Sequence, residues 1–187
     1  MLGRINTISL AHHLIAQYVR EGDLCIDATA GRGFDTAFLC ELVGETGRVL
    51  AFDIQEEAVT STKALLEERG LKAEVYLESH TKMDQYCKAE TVSGMMFNFG
   101  YLPGGDHSLC THSETSIAAI ACGLTLLKKK GVMSLCVYQG GDTGFEEKDA
   151  ILAYLETLDT KKYTVIVSQL HNRPNHPPLS VFITKDK

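Results

Sequence analysis

Apolar and polar positions along the chain change period repeatedly, and the alternation outlines a fold. Residues 7–20 carry Ile8, Ala11, Ile15 and Val19 on one helical face, with Thr7 as a candidate cap. The continuous apolar run LCIDAT, 24–29, reads as a buried strand. Gly31-Arg32-Gly33 and a helix from about Asp35 to Val43 follow it. The unit repeats with a strand at 48–53 (RVLAFD) and a helix from Gln55 to Arg69 stopped by Gly70. Two more strands are expected at 73–77 and 92–98. The helix expected at 113–128 has Ile117, Ile120, Ala121, Leu124 and Leu127 at helical spacing. Strand 131–138, helix 144–158 and strands 163–170 and 179–185 complete the series.

Only HNRPNHPP joins the last two strands, which is too short for a helical crossover, so they are antiparallel. Strands alternating with helices and closing on a hairpin predict an α/β fold: a mostly parallel, seven-stranded sheet with helices on both faces. The 187 residues suit a single domain over 1–187, with 1–22 as a helical lead-in.

Composition adds a few exclusions. At 44% hydrophobic and 22% charged the chain is of ordinary globular type, and no apolar run nears the ~20 residues that span a bilayer. The opening MLGRINTISLAHHLIAQ holds two His and no small-residue cleavage site, which argues against a secretory signal and for a cytoplasmic protein. Net charge is −6, so any binding of nucleic acid must come from a local patch. Lys128-Lys129-Lys130 read as a solvated turn rather than such a patch. Six cysteines at least twelve residues apart, with no C-x-x-C, argue against zinc and suit a reducing compartment; no metal is expected.

Two stretches carry chemistry. In DATAGRGFDT the glycines let a ligand approach the backbone where a strand opens into a helix, and the helix start favours an anion or polar group. Asp53 ends the next strand, 22 residues after Gly31, where a carboxylate can accept from two ribose hydroxyls. A nucleoside-containing ligand follows. A nicotinamide site wants a third glycine where Thr36 stands. Asp27 suits the cationic amino group of S-adenosylmethionine, or else it is a turn or capping residue.

The second stretch, NFGYLPGGDH, follows the fourth strand at the carboxyl edge of the sheet. An Asn98 carbonyl can accept from an amine N–H and aim the nitrogen lone pair at an electrophile. Tyr101 offers a stacking surface, Pro103 and Gly104 a turn near substrate, and Asp106 or His107 a proton acceptor, with Asp106 favoured because a carboxylate also attracts an ammonium. The alternative is a connector whose polar groups satisfy its own turns. After the third strand, Ser79 or His80 lines an adenine pocket, or His80 faces solvent.

The chain resembles the class I S-adenosylmethionine-dependent methyltransferases in DATAGRG, AFD, NFGY and the closing antiparallel pair. NFGY is similar to the Asn/Asp-Pro-Pro-aromatic motif of enzymes that methylate amino nitrogens, with Phe99-Gly100 in place of the prolines. DATAGRGFDT, NFGYLPGGDHS and HNRPNHPP together resemble a bacterial family labelled putative rRNA methylase. Members of that family are assigned as tRNA wobble-uridine methyltransferases acting on 5-aminomethyl-2-thiouridine. The resemblance implies a Rossmann-like fold, S-adenosylmethionine as cofactor, tRNA (the anticodon loop) as partner, and help from a second subunit as a homodimer. It gives a cofactor set of Asp27, Thr29, Gly31, Gly33, Phe34, Asp35, Thr36, Asp53, Ile54, Gln55, His80 and Asn98. Asn98, Asp106 and His107 are the catalytic candidates. Substrate contacts are expected from Tyr101, Pro103 and Gly104, and from Arg4, Asn6, Arg173 and His176 if both termini flank the ligand edge. An rRNA or small-amine methyltransferase and a nucleotide-binding regulatory module are the competing readings.

Overall fold

In the computed structural model, residues 5–99, 113–139, 144–174 and 177–187 are described. Helix α1 (Thr7–Tyr18) leads into β1 (Leu24–Asp27), α2 (Phe34–Val43), β2 (Arg48–Asp53), α3 (Glu56–Arg69) and β3 (Glu74–Leu77). A 3₁₀ turn (His80–Gln85) precedes β4 (Val92–Phe99), α4 (Ser113–Leu126), β5 (Leu127–Val137), α5 (Gly144–Glu156), β6 (Tyr163–Ser168) and β7 (Leu179–Lys185). The strands form one sheet in the order β3-β2-β1-β4-β5-β7-β6. β7 runs antiparallel to both β5 and β6, and the other neighbours are parallel. This is the expected architecture, with the hairpin where the short connection required it.

The two faces of β4 divide the core. Met95, Phe97 and Phe99 pack with Ile120, Leu124, Ile151 and Leu155 beneath α4 and α5. Met96 packs with Ala11, Ile15, Val19, Ala37 and Leu39 beneath α1 and α2. Asn98 shares the pleat face of Met96, so the sheet's period of two directs it toward α1 and α2.

Several local readings change. The N-cap of α1 is Asn6, which accepts from Ser9 N at 2.7 Å, and Thr7 instead donates its hydroxyl to the Pro178 carbonyl. Ile8 is 44% exposed, because the buried stripe runs through Thr7, Ala11 and Ile15. Helix α4 ends two residues early, and the three lysines open β5 rather than forming a turn. There Lys128 pairs with Asp23 at 2.7 Å. They sit at the end of the sheet opposite the parallel strands' carboxyl edge. Residues 80–85 show no periodicity that announces their turn; Met83, fully buried, anchors it.

Strand β7 starts beside the carboxyl end of β5, with Leu179 opposite Val137. The HNRPNHPP connection therefore returns to the carboxyl edge. Gln139 Nε2 donates to the Pro177 carbonyl at 2.6 Å, and Thr7 holds Pro178 from the start of α1.

Helix α1 lies close on the sheet because β4 has a glycine under it. A Cβ on Gly94 would come 2.5 Å from Val19 Cγ2 and 3.3 Å from Cys25 Sγ. Gly94→Ala is expected to cost about 1–3 kcal/mol by overpacking, a fall of roughly 2–12 °C in Tm at this chain length. Thermal denaturation followed by circular dichroism checks it; an unchanged Tm would mean that the helix is not seated there.

Candidate active site

The β1–α2 turn lies at the switch point, where β1 has β2 on one side and β4 on the other. Backbone bonds continue past the strand end and hold the turn between those neighbours. Ala28 N donates to the Met96 carbonyl and Ala30 N to the Phe52 carbonyl, both at 2.9 Å. Asp27 is fully buried below the turn, accepting from Thr36 Oγ1 at 2.6 Å and Thr29 N at 3.2 Å. The turn role is thus established for Asp27. Burial first, and then the charge of Asp35, push its carboxyl up to about 7.

Asp53 sits at the edge of the turn. One carboxylate oxygen accepts from Gly31 N at 2.9 Å and the other from Gln55 N at 3.0 Å. Each oxygen keeps a further lone pair for a ligand hydroxyl. Gln55 is the N-cap of α3, and the exposed Phe34 and Ile54 flank the turn as large apolar surfaces at 59% and 52% exposure. Thr62 of α3 donates to the Gly31 carbonyl at 3.2 Å, a bond with no sequence signal because its partner is 31 residues away.

Thr29 links the turn to β4, since its hydroxyl accepts from Asn98 N at 2.7 Å. The Asn98 side chain donates through Nδ2 to Asp35 Oδ2 at 2.6 Å, and the other oxygen of Asp35 bonds His12 Nε2 at 2.5 Å. His12 comes from α1 and stacks flat on Phe38, with ring centroids 3.8 Å apart. The fold sets His12 against α2.

His80 is buried, 9% exposed, so the solvent-facing reading is corrected: its ring lies 6.3 Å from those of Phe97 and Phe99. Burial pushes its pKa down to about 4, and its Nε2 has no hydrogen-bond partner among the described residues. Asn6 spends its side chain on the helix cap, at the edge where Thr7 meets Pro178. Arg173 lies on the β6–β7 connection at the same edge. Arg4, Tyr101, Pro103, Gly104, Asp106, His107 and His176 fall outside the described residues. Among the described residues no cluster of His, Cys, Asp or Glu could hold a metal ion, and no helix is long and apolar enough to cross a membrane.

The arrangement suits a cationic ligand bearing a ribose. Three carboxylates, Asp27, Asp35 and Asp53, surround the turn. At Gly33, with φ +81°, a Cβ would stand 2.9 Å from Thr62 Cα. Gly70, at φ +65°, has no atom within 4 Å of the same position. Gly70→Ala should therefore cost only the left-handed strain, about 1–2 kcal/mol. Gly33→Ala should cost that plus about 1–3 kcal/mol of overpacking against α3. Paired thermal melts measure the difference, and equal losses would mean that the turn does not rest on α3.

Comparison with known proteins agrees with this geometry. Residues 49–184 match the family described as "Putative rRNA methylase". The chloroplastic tRNA (mnm(5)s(2)U34)-methyltransferase of Arabidopsis thaliana is 35% identical over 99% of this chain and 71% of its own length. A crystal structure from Clostridium thermocellum bearing the family's description superposes with a TM-score of 0.94 at 43% identity, covering 98% of this chain and all of that one. A Streptococcus mutans structure titled as a methyltransferase in complex with SAH superposes with a TM-score of 0.88 at 35% identity, covering 99% of each chain. The chain belongs to this rRNA methylase family and has its class I methyltransferase fold.

Proposed function

We propose that this methyltransferase transfers a methyl group from S-adenosylmethionine to the exocyclic amine of a 5-aminomethyl wobble uridine in tRNA. The observation that carries the reading is Asn98: its main chain is tied to the cofactor turn through Thr29, and its Nδ2 is committed to Asp35. The remaining polar atom of that side chain is the acceptor Oδ1, which suits an amine N–H. S-adenosylmethionine, when bound, supplies a methyl group on a cationic sulfur. Asp53 would hold the ribose hydroxyls, Gly31 would leave room for the ligand, and Asp27 would provide the field that favours a cation.

Catalysis of such a transfer is largely positioning, which supplies about 7–11 kcal/mol in well-oriented reactions. An aliphatic amine has a pKa of about 10.4, so it arrives protonated and must lose a proton before it attacks. Asp106 is the proposed acceptor, with His107 beside it. Carbon methylation through a cysteine adduct is disfavoured, since nothing flanking Cys110, the cysteine nearest the substrate loop in sequence, suggests an activated thiolate. The relative's tRNA activity supports tRNA over the rRNA in the family's description. At net charge −6 the RNA would meet a local surface, and Arg173 on the β6–β7 connection supports a location at the carboxyl edge. Arg4 and His176 are proposed as further contacts on sequence grounds.

The decisive experiment incubates the protein with labelled S-adenosylmethionine and separate pools of tRNA, rRNA and small amines, then identifies the product nucleoside by mass spectrometry. Label in 5-methylaminomethyluridine from tRNA is expected. Label in rRNA or free amines alone would overturn the tRNA reading, and cofactor binding without transfer to any pool would favour a regulatory module.

A second prediction uses Asp27. Its carboxyl is mostly neutral below about pH 7 and charged above. A cationic ligand favours the charged form, so affinity for S-adenosylmethionine should rise with pH through that value and then level off. Binding about one unit below it should release a proton, counted by calorimetry in buffers of different ionisation enthalpy. Asp27→Asn should abolish the slope. In the free protein the sign reverses: the folded chain holds this proton more tightly than the unfolded chain. Asp27 therefore costs stability as pH climbs from the usual carboxylate range to about 7.

A further inference from the structure

We propose that Asp35 and His12 are positioning residues that set which end of the Asn98 carboxamide faces the substrate amine; the proposal rests on the amine-methylation reading above. An asparagine amide offers an acceptor at one end and donors at the other, and a half-turn about its terminal bond exchanges them. Only Oδ1 outward can accept from an amine; Nδ2 outward would present N–H against N–H.

The neighbour decides. Asp35 is a carboxylate in the first turn of α2, where the helix start favours negative charge. A carboxylate only accepts, so the 2.6 Å contact to Asn98 must come from Nδ2, and Oδ1 is turned the other way. The 2.5 Å contact on the second oxygen must likewise come from a protonated His12 Nε2. Asp35 is only 8% exposed through its side chain and His12 26%, so water competes weakly for the carboxylate. The flat stack on Phe38, three residues after Asp35 on the same helix, fixes the imidazole plane. Helix α1 thus fixes α2, and α2 fixes the carboxamide on β4. Asp35 thus braces Asn98 and His12 at once, one through each oxygen.

The test uses the purified full chain with S-adenosylmethionine and tRNA bearing 5-aminomethyluridine. Asp35→Asn can donate as well as accept, so the carboxamide may settle either way round; kcat should fall about 10- to 100-fold while KM for S-adenosylmethionine stays within about three-fold. His12→Gln keeps an N–H near the Nε2 position and should retain kcat within about three-fold, whereas His12→Ala should match Asp35→Asn. Nitrogen-15 spectra of the free protein, with the Asn98 side-chain signal assigned by its loss in Asn98→Ala, should show that signal shifted in Asp35→Asn and His12→Ala and unshifted in His12→Gln. Melting temperatures identify variants that fail to fold, and the spectra of His12→Gln then decide. Unchanged kcat in Asp35→Asn, losses confined to the KM for S-adenosylmethionine, an Asn98 signal unmoved in Asp35→Asn, or one shifted in His12→Gln would each overturn the proposal. If the wild type does not methylate this tRNA while the Asn98 signal still follows Asp35 and His12, the acceptor reading fails and the positioning role stands.

Discussion

The site depends on a carboxylate that no solvent reaches. Asp27 closes β1, and its two oxygens hold Thr36 of α2 and the backbone of Thr29. Those bonds draw the helix start onto the strand end and fix the turn between them. Gly31 then meets Asp53, Thr29 meets Asn98, and Thr62 meets the carbonyl of Gly31. Strands β2 and β4 and helix α3 are thereby referred to one short turn. A single buried group thus sets the relative positions of three elements that contribute to the site.

The same concentration of charge sets ligand preference. Burial first, and then the negative charges of Asp35 and Asp53, push the Asp27 carboxyl up to about 7. Mutual repulsion of that kind is relieved by a bound cation and made worse by an anion. The helix N-terminus that elsewhere attracts phosphate is here occupied by Asp35, so the turn has the geometry of a nucleotide site with the opposite preference in charge. A sulfonium cofactor meets both conditions.

Much of this was legible in the sequence because it is local. The strand–turn–helix unit of DATAGRGFDT, the carboxylate at Asp53 and the antiparallel hairpin follow from period, spacing and the length of one connection. What escaped was pairing across the fold. His12 meets Asp35 over 23 positions and Asn98 meets Asp35 over 63, distances at which no periodicity relates one residue to another. His80 reads as a polar loop residue, yet the unheralded 3₁₀ turn carries it under Phe97 and Phe99. Asn6 was read for its chemistry as an RNA contact, and the capping box with Ser9 accounts for it through helix geometry.

Reversing one strand decides which segments meet at the carboxyl edge of the sheet. Were β7 parallel to β5, the segment before it would arrive at the amino edge, beside the lysines that open β5. Because β7 is antiparallel, Pro177 and Pro178 arrive at the carboxyl edge instead, where Gln139 and Thr7 fasten them. The start of α1, the end of β5 and the β6–β7 connection therefore converge on the face toward which Asn98 is directed. The same helix supplies the imidazole that braces Asp35. A substrate entering along this edge would meet the first and last segments of the chain before it reached the carboxamide.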